Sequence, residues 1–512
     1  MIDRRPTLIL AAFVFSATLA VYGSMLSSNV AVGDEAEAQT VPYILGIAHP
    51  TGFPAYTLAG WVFSHALPFG TVAWRLNAFT AVSTALSVTG IFLIAEAIAG
   101  DLAAAVLAAF VFAFGATVWD GALHANAQAL AGACSIWALL AGVIFARCGG
   151  TRALVAACAL CGLGIATHPS AIWVVPAIAV ALAWQRKGVA KRALAFGLAA
   201  LLLPLLLYAY LPLRSAVVAA HGLDPSAATP LYGAGNFDWN TNAPRTPAGF
   251  LDEVLARHVG AGSQLARAFD PSSISGAPQF WFEQAAGQYR FWLLLLAAAG
   301  FATLAWVDRR ALSVLAAGTL GGVSFAYVYR ADTQLDRYVF VSFAVAAALS
   351  AGSVRLRLPR LPGTWVRAVS VVALAVLAGF AFAQNRPRAA SIYEDGETII
   401  SAVRQDTPDG AIVVAQWNDA AALGYGTFVE HALGSRIIVA GWPSDYTDQY
   451  TRWAESLPVR LFVSPLAMHR LLGLPVRLWP QPSSLGGYGI YAVLPFGALP
   501  YQTRTPRNAR RE

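Results

Sequence analysis

Gly33-Asp34-Glu35-Ala36-Glu37 stands just after an apolar run that fills residues 7–26, and this junction sets the architecture. Three carboxylates appear where a hydrophobic helix has left the membrane. Asp34 and Glu37 are three residues apart, so on a helix they share a face. Charge beside lipid is costly, and only 12% of the chain is charged. The cluster is therefore either a catalytic or ion-binding site or a solvated loop that marks the outer surface. About a dozen residues on comes Gly46-Ile47-Ala48-His49-Pro50-Thr51-Gly52-Phe53-Pro54-Ala55-Tyr56. A run so rich in Gly, Pro and aromatics reads as a sharply shaped loop.

Around this junction the chain is greasy. Of its 512 residues 57% are hydrophobic, against about 45–50% in soluble domains. A spanning helix needs roughly 20 apolar residues. That rule predicts about eleven spans, near 7–26, 74–98, 102–119, 127–146, 153–168, 170–184, 193–213, 291–307, 311–329, 338–354 and 367–384. The chain reads as an α-helical polytopic membrane protein. Its first segment also resembles a signal peptide, with Arg4-Arg5 ahead of the apolar run. No small-x-small cleavage site stands at the right distance, so a retained helix is expected.

The net charge of +7 does not indicate nucleic acid as a partner. The basic residues fall in short clusters between apolar runs, as orientation in a membrane requires. Arg4 and Arg5, Arg147 and Arg152, Arg186 to Arg192, Arg309 and Arg310, and Arg355 to Arg367 occupy alternating loops. The positive-inside rule makes those loops cytoplasmic. A multi-pass protein of the cell membrane follows, with a cytoplasmic N-terminus and an extracytoplasmic C-terminus. Four cysteines (Cys134, Cys148, Cys158 and Cys161) lie in or beside apolar runs. Cys158 and Cys161 form a C-x-x-C without a companion His or second pair, so packing is expected rather than metal or redox work.

The remaining loops face outward and carry the acids, the histidines and the insertions. The transmembrane domain covers 1–384, with long outer loops at 27–73 and 215–290. Residues 385–496 read as a small extracytoplasmic α/β domain. Apolar runs at 410–414, 436–439 and 459–463 look like buried strands, and 396–404 and 447–457 look helical. The Arg- and Pro-rich end, 497–512, has a disordered composition.

Candidate functional residues all lie at outer helix ends or in outer loops. Asp34 and Glu37 come first. Neighbouring carboxylates repel, and one of such a pair can serve as a general base. The alternative for the pair is a divalent metal held through oxygen. His49 is placed to orient a hydroxyl or to anchor its own loop. Arg214 follows Tyr210-Leu211-Pro212-Leu213 at an outer helix end, where a guanidinium fork suits a lipid phosphate. Snorkelling to headgroups is the plainer alternative. Arg337 shares a short loop with Arg330, Asp332 and Asp336 and is the second phosphate candidate. His168, beside Pro169, and Trp239, within Asp238-Trp239-Asn240, are candidates for substrate binding. His124 and Asp120 are weaker ones. No P-loop, G-x-G-x-x-G, G-x-S-x-G or H-E-x-x-H is present.

The stretch from Asp34 to Asn77 resembles a family of multi-pass proteins of bacteria and animals. Its members read D-x-G-E, then G-I-A-H-P-P-G-Y-P-x-Y, then W-R-x-N. Here the matching residues are Asp34-Glu35-Ala36-Glu37, the loop from Gly46 to Tyr56, and Trp74-Arg75-Leu76-Asn77. Fainter echoes are Tyr210 to Arg214, and Trp239 with Pro244, Thr246 and Phe250. The resemblance implies the GT-C class of integral-membrane glycosyltransferases, whose animal member here is a protein O-mannosyltransferase. It implies a polyprenyl-phosphate-linked sugar as donor, with an exported protein or envelope glycan as acceptor. It matches Asp34 to the catalytic acid of the first outer loop and Glu37 to the second acid. Two departures concern substrate preference: Ala36 replaces a usual Gly, and Asn126-Ala127-Gln128 replaces E-V-Y.

The expected reaction is an inverting displacement that uses no cofactor. Asp34 acts as base, and an Arg stabilises the leaving phosphate. Two other classes remain. A secondary transporter places ionisable groups near the bilayer midplane and often shows internal repeats, and neither is evident here. A non-catalytic envelope assembly protein would bind through its tail.

Overall fold

The computed structural model describes residues 5–186, 188–223, 238–257, 271–329, 340–386, 395–440, 453–456, 460–471, 476–481 and 488–495. The chain divides into two compact units. One comprises Met1–Ser28, Ile47–Val217 and Asn240–Ala389. The other comprises Asn29–Gly46, Val218–Trp239 and Ala390–Glu512. The sequence placed 29–46 and 218–239 in outer loops of the membrane domain, whereas by contacts both belong with the C-terminal residues.

The first unit is helical, and each of the eleven expected spans falls mainly on helix over its described residues. Arg5–Gly23, Val72–Ala99, Ala127–Cys148, Lys191–His221 and Gly363–Gln384 are each long and apolar enough to cross a membrane. Leu102–Ala113 and Ala116–Leu123 are apolar enough only when taken together, and they are bent by 65° at the break between them. Thr151–Thr167, Pro169–Gln185, Phe291–Val307 and Phe340–Arg355 are shorter apolar helices, and Arg309–Tyr329 is also helical. The protein is therefore a multi-pass membrane protein. In lipid, helices satisfy every backbone group internally, and their junctions here are capped by side chains. Thr71 accepts from the Trp74 amide, Asp101 from Ala104 and Asn126 from Ala129.

Small residues allow these helices close approach, as expected where no hydrophobic force drives helix pairing in lipid. A methyl on Gly300 would collide with the Leu349 carbonyl, and one on Gly162 with the Leu201 carbonyl. Cys134, Cys158 and Cys161 are buried thiols in this packing, and no described cysteine forms a disulfide. Basic residues from several expected cytoplasmic loops meet one another's helix ends. Arg147 pairs with Asp308, and Arg367 with Asp101. Arg355 donates to the Ile98 carbonyl at 3.1 Å, and Arg310 to that of Arg147 at 3.1 Å. These contacts collect the basic loops at a common end of the unit.

The second unit is built on a five-stranded sheet, ordered β2-β1-β3-β5-β4. The strands are β1 Ile412–Ala415, β2 Ile437–Ala440, β3 Leu461–Val463, β4 Val476–Pro480 and β5 Tyr491–Pro495. β1, β2 and β3 are parallel, and β5 pairs antiparallel with β3 and β4. All four residues of β1 are buried. A parallel strand covered on both faces reads as an unbroken apolar run, which is why 410–414 and 436–439 stood out. Helix Gly396–Asp406 is capped by Asp395, which accepts from Thr398, and it buries Ile399, Ile400, Ala402 and Val403. Helix Trp417–Phe428 and strands β4 and β5 went unpredicted. Most of the expected helix 447–457 and the whole of 497–512 lie outside the described residues.

Candidate active site

In the second unit, Gly33–Ile44 forms a helix that packs on helix Trp417–Phe428. Gly33 has φ +57°, and a Cβ there would lie 2.7 Å from Asn418 Oδ1. Glycine thus serves both the left-handed backbone and the close approach. The Gln39 side chain turns back to accept from the Ala31 amide at 2.9 Å. Gly396 donates to the Val30 carbonyl at 2.9 Å. The helix entry is therefore tied from both sides.

Asp34 and Glu35 lie in the first turn, where the exposed amide ends favour negative charge. Asp34 and Glu37 share one face, as the spacing predicted, with carboxylate oxygens within 4.8 Å of each other. Glu37 is only 2% exposed, whereas Asp34 is half-buried. Trp417 Nε1 donates to Asp34 Oδ1 at 2.7 Å, across 383 positions of sequence.

Trp417 opens the helix that leaves the carboxyl end of β1. The chain from β1 runs to β2 on one side, and β3 lies on the other. Adjacent parallel strands whose connections diverge leave a crevice at their carboxyl ends, the usual ligand position in such sheets. The buried carboxyl of Asp419 and the buried hydroxyl of Ser464 lie on this same edge, with Tyr488 beside them. Burial pushes the Asp419 carboxyl up, and the neighbouring Ser464 and Tyr488 hydroxyls partly oppose that shift.

Trp239 is fully buried in this unit. Its ring meets Trp417 edge-on, with centroids 6.3 Å apart. A Cβ on Gly424 would lie 2.7 Å from Trp239 Cζ2, and one on Gly46 would lie 3.0 Å from Trp239 Cβ. The sequence placed Trp239 in a binding loop. The structure gives it a packing position behind Trp417, because two distant glycines leave room for the indole.

The first unit holds the other candidates. The His49 carbonyl accepts from the Gly52 amide at 2.9 Å, closing a turn with Gly52 at φ +80°. The Phe53 ring meets His49 edge-on at 5.0 Å and stacks on His168 at 5.4 Å. His49 and His168 are thus brought together around one aromatic. His168 Nδ1 accepts from the Ser170 amide at 3.1 Å, which leaves the ring hydrogen on Nε2.

Arg214 is half-buried on helix Tyr210–His221. One turn before it, fully buried Leu211 packs against Gly52, where a Cβ would lie 2.8 Å from the leucine. The Arg214 helix is thereby fixed to the His49 turn. Glu253, also fully buried, accepts from Asn242 Nδ2 at 2.9 Å and approaches Gly52. Sequence reasoning missed Glu253 and Trp417, since neither stands in a local motif.

The W-R-x-N stretch proves architectural. Arg75 donates to the Ser64 and Phe69 carbonyls, both at 3.1 Å, and closes helix Pro54–Ala66. Asn77 donates to Ser27 and accepts from Ala125. Asn126, which departs from the family pattern, caps its helix and donates to the Gly121 and His124 carbonyls. Arg337, with Arg330, Asp332 and Asp336, lies outside the described residues.

Residues 34–191 match the family described as the Protein O-mannosyl-transferase TMEM260 N-terminal domain. Protein O-mannosyl-transferase TMEM260 of Mus musculus is 32% identical over 117 residues, 23% of this chain and 17% of that protein. The Dictyostelium discoideum protein of the same name is 26% identical over 118 residues, 23% of this chain and 14% of its own. The matched segment thus spans less than a fifth of either relative. ArnT from Cupriavidus metallidurans, in a crystal structure bound to undecaprenyl phosphate, superposes with a TM-score of 0.51 at 13% identity. That match covers 94% of this chain and 97% of ArnT. Mycobacterial arabinofuranosyltransferase AftD gives a TM-score of 0.50 at 16% identity, over 98% of this chain and 42% of AftD. The chain has the GT-C fold of these membrane glycosyltransferases, and its residues 34–191 are similar to the N-terminal domain of the TMEM260 protein O-mannosyl-transferases.

Proposed function

We propose that the protein is a membrane glycosyltransferase that moves a mannose-like sugar from a polyprenyl-phosphate carrier to a hydroxyl outside the cytoplasm. The acceptor is Ser or Thr of an exported protein. The observation that carries this reading is the Asp34–Glu37 carboxylate pair on one helix face, at the start of the segment that matches the O-mannosyl-transferase domain. The ArnT structure bound to undecaprenyl phosphate supports the kind of carrier.

The acceptor oxygen attacks the anomeric carbon as the bond from that carbon to the phosphate oxygen breaks. Asp34 accepts the hydroxyl proton. Glu37, whose carboxylate lies close by, stabilises positive charge developing on the ring. Arg214 neutralises the leaving phosphate with its paired N–H groups. A single displacement inverts the anomeric centre and uses no cofactor.

The test is a glycan comparison on exported proteins from three strains: one lacking the gene, one carrying it, and one carrying Asp34→Asn. Hexose on Ser or Thr present only with the intact gene supports the reading. Identical glycans in all three overturn it. The orientation proposed has the N-terminus in the cytoplasm and residues 385–496 outside. With the exposed native Cys148 replaced by serine, a cysteine introduced at exposed Asp409 should react with an impermeant maleimide in intact cells. Reaction only after permeabilisation reverses the orientation.

A further inference from the structure

We infer that Trp417 is a positioning residue for the Asp34 carboxylate, so the sheet-bearing unit takes part in the transfer reaction. This inference rests on Asp34 being the base. A base must hold one oxygen toward the incoming hydroxyl, and a carboxylate on a half-buried helix turn rotates freely unless one oxygen is held. Trp417 Nε1 holds Oδ1 at 2.7 Å. Oδ2 is then the oxygen available to take the proton.

The indole is itself held. It sits in the first turn after β1, whose register is set by pairing on both sides with β2 and β3. The fully buried Trp239 ring lies edge-on against it. Trp239 fits only because residue 424 on the same helix as Trp417 is glycine. Asn418, the next residue, presses on Gly33 at the start of the Asp34 helix. A donor locked at both its backbone and its ring is a preorganised partner for a charged acceptor.

Trp417→Phe keeps an aromatic ring against Trp239 and removes the N–H together with the pyrrole half of the indole. The assay is mannose transfer by purified enzyme in proteoliposomes, from undecaprenyl-phosphate [3H]mannose to a synthetic Ser/Thr-rich peptide. We expect kcat to fall roughly tenfold or more, the rate equivalent of one hydrogen bond to a charged group. KM for both substrates should stay at wild-type values, and kcat is read per folded molecule so that any packing loss is separated from the lost hydrogen bond. Added to Asp34→Asn, Trp417→Phe should cause no further loss, since no charge is left to orient. Wild-type kcat in Trp417→Phe, or a lowered thermal midpoint with unchanged kcat per folded molecule, overturns the positioning role and leaves the Asp34 reading standing. Full transfer by Asp34→Asn removes the base reading itself, whatever Trp417→Phe does.

Discussion

Asp34→Asn should lower sugar transfer by about 10²–10⁴, the usual cost of losing a positioned base. The amide keeps the carboxylate's shape and can still accept from Trp417 Nε1, so the corner between helices Gly33–Ile44 and Trp417–Phe428 stays in place. What it loses is the charge and the capacity to take a proton. Expression and thermal midpoint should therefore match the wild type while kcat collapses. Glu37→Gln should be impaired less, because Glu37 is proposed to act on ring charge rather than on the proton. A variant Asp34→Asn that transfers at the wild-type rate would take the base role from this residue.

Arg214→Ala should lower kcat/KM for the polyprenyl-phosphate sugar with little change in acceptor KM. Hydrogen bonds to charged groups contribute about 1.5–3 kcal/mol, which is roughly 10- to 150-fold in kcat/KM. Arg214→Lys keeps the charge but loses the planar fork, so it should fall between Arg214→Ala and the wild type. The helix should survive both changes, because Leu211, not Arg214, makes its buried contact with Gly52. Normal transfer by Arg214→Ala together with loss in Arg337→Ala would move the phosphate role to Arg337.

The membrane unit was largely legible in sequence because lipid imposes a simple rule. A span must be apolar and helical for about 20 residues, and basic loops alternate. The Asp34–Glu37 face was legible from spacing alone. The C-terminal unit was legible only where strands are buried on both faces, as with Ile412–Ala415. Edge strand β4, with an exposed arginine and tryptophan in Val476–Pro480, carries no such run. The packing of Trp239 was not legible, because an aromatic among polar residues reads as a binding surface. Its burial depends on Gly46 and Gly424, which lie almost 200 residues away on either side. Trp417 was invisible for the same reason. Its hydrogen bond to Asp34 joins segments 383 residues apart, and no local pattern records such a pairing. The chain-order reading likewise kept 29–46 with the membrane helices, although its contacts are with the C-terminal sheet unit.

The most direct test of the central claim is product stoichiometry in proteoliposomes given undecaprenyl-phosphate [3H]mannose and a Ser/Thr-rich peptide. Label on the peptide and free undecaprenyl phosphate should appear in equal amounts, with wild-type enzyme and not with Asp34→Asn. The new linkage should carry the anomeric configuration opposite to that of the donor. Label that stays on the lipid would contradict the account, as would labelled lipid that only changes leaflets.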